Sequence, residues 1–235
     1  MNPGRCLATV SFVLAVAVGC ASSKVTEREV LVTEKLPRPD RILVYDFGAS
    51  PADVPAESAL AGHVDPQQTP TAAELARGRA LGAEVARALT EEIQAMGLPA
   101  VHASAATQPR LDELVIRGYF ASIHEGSVTE RMVVGFGAGA SELQTVVEGF
   151  QMTRQGLRKL GSGSVSAGGG KGPGAAVPAA VAIATANPIG LVVTSAVKAG
   201  AEVSGRSTIE GRGRQTAKKI AEQIKPRFQQ QGWIP

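Results

Sequence analysis

Apolar residues recur along this chain with two periods, and each period predicts its own kind of element. Residues 42–45, Ile-Leu-Val-Tyr, form an unbroken apolar run inside 41–47, as a strand covered on both faces requires. Residues 114–123 have the same character, and 100–103 read as a shorter strand. Over 142–152 the pattern alternates, with Leu143, Thr145 and Val147 on one side and Gln144, Val146 and Glu148 on the other. Gln155-Gly156 reads as a tight turn, after which 157–167 pairs back antiparallel. A further short strand is expected at 29–36.

The helical period is clearest at Leu81, Val85, Leu89, Ile93 and Met96, spaced by four and three. Thr71-x-x-Glu74 is a capping box in front of that stripe, Gly97 stands at the C′ position, and Pro99 prevents a restart. The last helix carries Ile209, Ala217, Ile220, Ile224 and Phe228 on one side, opened by Ser207-x-x-Glu210, and Pro226 is expected to bend or end it. Residues 172–197 hold no charged side chain, but Asn187-Pro188 divides them. A membrane span needs about 20 continuous apolar residues. The segment is therefore read as two short helices, about 175–186 and 188–203, packed as a small-residue hairpin. Trp233, the only tryptophan, is expected to pack back on the domain. Together these elements predict an α+β fold: a mixed, mainly antiparallel sheet with helices on one face, the hairpin, and a C-terminal helix.

The N-terminus changes the picture from a free domain to a delivered one. Arg5 precedes an uncharged apolar run over 6–18, too short to span a bilayer, which ends in Ala17-Val18-Gly19-Cys20. This resembles a bacterial lipobox. The resemblance implies cleavage before Cys20, acylation of its thiol and amine (palmitate among the chains), and, with Ala21 following, the periplasmic face of the outer membrane. Several acyl chains hold a protein firmly where one does not. The expected organisation is a signal peptide at 1–19, a tether at 20–39, and one α+β domain at 40–235 with an Ala/Gly-rich helical insertion at about 172–203. Cys20 is then the only cysteine of the mature chain, which excludes an internal disulfide.

Four sets of residues imitate catalytic or nucleotide sites. Gly135-Phe136-Gly137-Ala138-Gly139-Ala140 fits a loose dinucleotide fingerprint, but a strand pattern follows where a helix is needed, and no Asp occurs after Asp112. The glycines are read as a tight connection into a strand. Lys171 follows a glycine run, but Val165 and Gly172 occupy the glycine and hydroxyl positions that a phosphate-binding loop requires. Ser195-Ala196-Val197-Lys198 spells a penicillin-binding motif without its companion motifs. His63, His102 and His124 show no ligand spacing on a helix, and adjacent Asp112 and Glu113 are expected to face opposite sides of a strand. No cofactor, metal or catalytic residue is assigned.

Charge is distributed more tellingly than composition. Residues 20–150 hold 11 basic and 18 acidic side chains, whereas 151–235 hold 12 basic and 3 acidic. The final helix concentrates that excess in Arg206, Arg212, Arg214, Lys218, Lys219, Lys225 and Arg227, a candidate surface for an anionic partner or lipid. Nucleic acid is not expected in a periplasmic compartment.

Residues 42–47, Gly97-Leu98-Pro99, 114–120, the run Arg131-Met-Val-Val-Gly-Phe-Gly-Ala-Gly-Ala-Ser-Glu-Leu143 and the terminal Gly-Trp-Ile together resemble the bacterial lipoprotein family called domain of unknown function 4410. The family has no assigned activity, so the resemblance implies no catalytic residues. The order of elements is also similar to periplasmic α/β modules of envelope-assembly lipoproteins, by fold analogy alone. The function expected is a lipid-anchored, non-enzymatic envelope protein that binds or supports a partner protein. An enzyme with dispersed catalytic residues and a self-associating structural lipoprotein are the alternatives.

Overall fold

The computed structural model describes residues 23–56, 58, 71–124, 142–168, 193–194 and 209–235. Among the described residues, seven strands form one sheet: β1 (Ser23–Val30), β2 (Ile42–Tyr45), β3 (Ala100–Ala103), β4 (Leu114–His124), β5 (Glu142–Thr153), β6 (Gly156–Gly168) and the two-residue β7 (Val193–Thr194). The order across the sheet is β1-β6-β5-β4-β2-β3, with β7 paired to β4. Strands β4, β5 and β6 form an antiparallel meander with β1 added antiparallel at its edge. Strand β2 runs parallel to both β3 and β4: a helix carries the chain from β2 to β3, and the loop 104–113 carries it across to β4. This is the predicted α+β class.

Helix α1 (Ala72–Ala95) starts and stops where the sequence says. Thr71 Oγ1 accepts from the Glu74 N–H at 3.3 Å, and Glu74 Oε2 accepts from the Thr71 N–H at 2.8 Å. Gly97 follows with φ 83°, a conformation costly for any residue with a Cβ. Helix α2 (Ile209–Gln231) packs beside α1 on the same face of the sheet. One core joins Ile42, Val44, Leu114, Ile116, Leu143 and Val165 of the sheet to Val85, Leu89 and Ile93 of α1 and Ala217, Ile220 and Phe228 of α2. The other face holds a smaller cluster of Leu43, Ala103, Val115 and Phe150, with the Arg117 guanidinium 5.6 Å from the Tyr45 ring centroid and 6.0 Å from that of Phe150.

Contact between α1 and β2 depends on missing side chains. A Cβ on Gly82 would stand 2.1 Å from the Phe47 carbonyl oxygen, and one on Gly118 would stand 2.1 Å from the Phe47 ring. Phe47, 2% exposed, fills the space that the two glycines leave.

Two expectations are corrected and a third, that Pro226 bends or ends the last helix, is narrowed. The stretch read as a tether contributes an edge strand at 23–30, while 31–36, expected as a strand, continues beyond it. A polar sequence can hold this place because an edge strand pairs through its backbone and needs no apolar face. Pro226 does not end α2, which runs on to Gln231 because Phe228, Gln231 and Trp233 are buried and anchor its last turn. Val193–Thr194 are strand rather than helix. Both are β-branched, and they pair with Ile123 and His124 on the edge of β4 beyond the end of β2. The rest of the expected hairpin, the glycine cluster at 135–139, Lys171, Ser195, Lys198, His63, Ser207 and Cys20 lie outside the described residues.

Candidate functional site

The features that bear on function converge on α2. Its buried face is set by Thr216, Ile220 and Phe228, with Ile224 half-buried. Arg212 stands four residues before Thr216, on the same face, and is 2% exposed, with Nη1 donating to Gln215 Oε1 at 3.0 Å. Arg227, seven residues after Ile220, is also turned inward, and its Nη2 donates to the Val32 carbonyl. Arg212 is therefore not part of an outer cationic surface, which corrects the sequence reading at that residue, whereas Arg227 is half-buried. Helical periodicity put them on the packed side, and the identity of the residues alone concealed it.

What remains outward is narrower. Arg214, Lys218 and Lys225, at spacings of four and seven, share the exposed face. Arg214 is 60% exposed and its Nη1 lies 2.8 Å from Glu84 Oε1 on α1. Lys219 lies off this stripe and pairs with Glu222 at 2.6 Å. Arg206 is outside the described residues.

The inner face of α2 holds down the segment that follows β1. Gln231 Oε1 accepts from the Leu36 N–H at 2.6 Å, and Gln231 Nε2 donates to the Glu34 carbonyl at 2.9 Å. Trp233 Nε1 donates to the Leu36 carbonyl at 3.3 Å, and its ring packs against Phe228 at 5.5 Å between centroids. The chain's two ends are therefore clasped: residues 31–36 run as a strap under the last turn of α2. Trp233 packs back as predicted.

Between strap, helix and sheet lies a cavity of about 170 Å³. Its walls include Val147, Val165 and Leu160 from the sheet and Ile220, Ile224 and Phe228 from α2. Gly149, Gly161 and Gly163 also line it, on neighbouring strands. A Cβ on Gly149 would meet nothing within 4 Å. The cavity exists because the inner face of β5 lacks a side chain at Gly149, where Leu143, Thr145 and Val147 lead the pattern to one. The sequence signal for it is that glycine in an inward row otherwise filled by Leu143, Thr145 and Val147.

Other polar groups form pairs within the fold. Glu113 accepts from Arg41 Nε and Nη2, each at 2.8 Å, and from the Arg110 N–H at 2.7 Å. Burial works to raise its pKa, but the hydrogen bonds and charges of Arg41 and Arg110 outweigh that and hold it below the ordinary carboxylate value. Asp112, at φ 65°, sits in the turn before β4, and Glu113 also precedes the strand, so the two are not a pair on opposite strand faces. Lys159 Nζ binds the fully buried Glu148 at 2.7 Å, and Arg117 stands opposite Glu148 across the β4–β5 ladder. His102 Nε2, on β3, lies 2.6 Å from Oδ1 of Asp46, which directly follows β2, and both residues are exposed. Among the described residues, no three His, Cys, Asp or Glu side chains are grouped to hold a metal ion.

The fold and cavity define a sheet domain that clasps its own N-terminal segment beneath a C-terminal helix. The chain belongs to the family described as Domain of unknown function (DUF4410), whose model matches residues 42–186. The match covers the sheet from β2 to β6 and stops short of α2 and the terminal Gly-Trp-Ile. No curated protein matches by sequence. Among solved structures, a dodecameric variant of PelC from Paraburkholderia phytofirmans is similar over 72% of this chain and 97% of its own, with 13% identity and a TM-score of 0.36. A second PelC dodecamer from the same organism matches over 69% and 91%, with 12% identity and the same TM-score of 0.36. Likeness at that level is too distant to bear on assembly or activity.

Proposed function

We propose that this chain is a lipid-anchored protein on the periplasmic face of the bacterial outer membrane, a non-enzymatic module that binds or supports another envelope component. The observation that carries the reading is the short apolar run ending in Ala17-Val18-Gly19-Cys20. Its consequence is geometric. Strand β1 starts at Ser23, so only Ala21 and Ser22 separate Cys20 from the sheet. At about 3.5 Å per residue, an acylated Cys20 holds the edge of the sheet within about 10 Å of the lipid headgroups. The domain then stands on the membrane rather than on a long tether. The stripe of Arg214, Lys218 and Lys225 supplies a cationic strip for an anionic partner protein, which salt weakens.

Replacing Cys20 with Ser tests the anchor. The expected outcome is release of the chain from the membrane fraction, or accumulation of the uncleaved form. The unmodified chain stays in that fraction through a high-salt wash. If the serine variant is cleaved and membrane-bound like the parent, the anchor lies elsewhere and the reading fails.

A further inference from the structure

We propose that the cavity under α2 binds the tail of a single-chain fatty acid, with the hydrocarbon inside and the carboxylate at Arg227. An apolar cavity of about 150 Å³ stays dry and accepts a benzene-sized guest. The cavity here, about 170 Å³, thus suits the last half-dozen or so carbons of a chain. Its walls are valine, leucine, isoleucine and phenylalanine, and its floor is glycine. Val30, at its edge, is 44% exposed, and the adjoining Leu31 is 51% exposed. They extend an apolar track outward along the strap.

The polar side chains on the lining fit an anionic end. Arg227 has five N–H donors and uses them on the Val32 carbonyl and on Gln230 Oε1 at 3.4 Å, so donors remain for a carboxylate. Gln223 and Gln231 flank it. Glu29, the acidic residue of the lining, accepts from Ser162 Oγ at 3.1 Å.

Size decides the class of ligand. A space of about 170 Å³ takes part of one hydrocarbon chain, which suits a single-chain acid rather than a two-chain lipid. The proposal does not depend on the envelope reading, and the experiment is read in solution on the full chain whether or not an anchor is present.

Trp233 lines the cavity and is the chain's only tryptophan. Decanoate brominated at its terminal carbon is titrated against the full chain while Trp233 fluorescence is recorded. Saturable quenching is expected, at least ten-fold weaker in Gly149→Leu and in Ile224→Phe, both of which fill the space. The matching brominated decanol should bind several-fold less tightly than the acid. Quenching that never saturates, or that is unchanged in a filling variant with the parent's circular dichroism, overturns the site. Equal binding of acid and alcohol overturns the role of Arg227. Should either variant fail to fold, saturation and the acid–alcohol comparison on the parent chain still decide the question.

Discussion

Glycine acts in opposite ways at two places in this molecule. At Gly82 the missing Cβ lets α1 touch the Phe47 carbonyl, where any side chain would meet backbone at 2.1 Å. At Gly149 the missing side chain leaves open space. Gly82→Ala should therefore destabilise the fold by about 2 kcal/mol or more, since the overpacking cost outweighs the gain of about 1 kcal/mol in helix propensity. Gly149→Ala should change stability by less than about 1 kcal/mol. Urea denaturation of the two variants separates them, and equal losses would contradict the account. Glu113 supplies a second residue-level prediction. Its folded pKa lies below the unfolded value of about 4.5, so its contribution to stability is present above that pH and is lost as pH falls through the folded value. The unfolding midpoint should drop as pH is lowered past the ordinary carboxylate range. In Glu113→Gln, stability should start lower at neutral pH and fall less steeply with acid. A variant with the parent's slope would assign the acid sensitivity elsewhere.

At the scale of elements, the legible features were those whose signal lies in side chains. The capping box at Thr71 and Glu74, the glycine stop at Gly97, the stripe of α1 and the alternation of β5 all gave elements where the sequence placed them. β1 was not legible, because its strand pairs through the backbone and its residues are polar. The strap was not legible either, because Gln231 and Arg227 hold it through main-chain carbonyls and an amide some 195 residues away in sequence. The same limit made the basic residues of the C-terminal stretch look like a single surface, although packing buries Arg212 and half-buries Arg227. Gln231 tests the clasp. Gln231→Ala removes two hydrogen bonds to the strap and leaves their backbone partners under α2, at a cost of about 2 kcal/mol. Amide exchange should speed up at Leu36 while α1 keeps its protection. An unchanged Leu36 amide would show that Trp233 and Arg227 hold the strap without it.

At the scale of the molecule, the sheet, the clasp and the approach of the N-terminus form one arrangement. Strand β1 enters the sheet directly after the cysteine of the lipobox-like motif. The strap then passes under the last turn of α2, beside the cavity, whose lining runs back along β6 to Val165, opposite Val25 of β1. The central claim is that Cys20 is the mature, acylated N-terminus, and the most direct test is the mass of the N-terminal peptide of the chain isolated from its native membrane. The account predicts a peptide that begins at Cys20 and carries the added mass of acyl chains. A mature chain that begins at any other residue, or an unmodified Cys20, would contradict it.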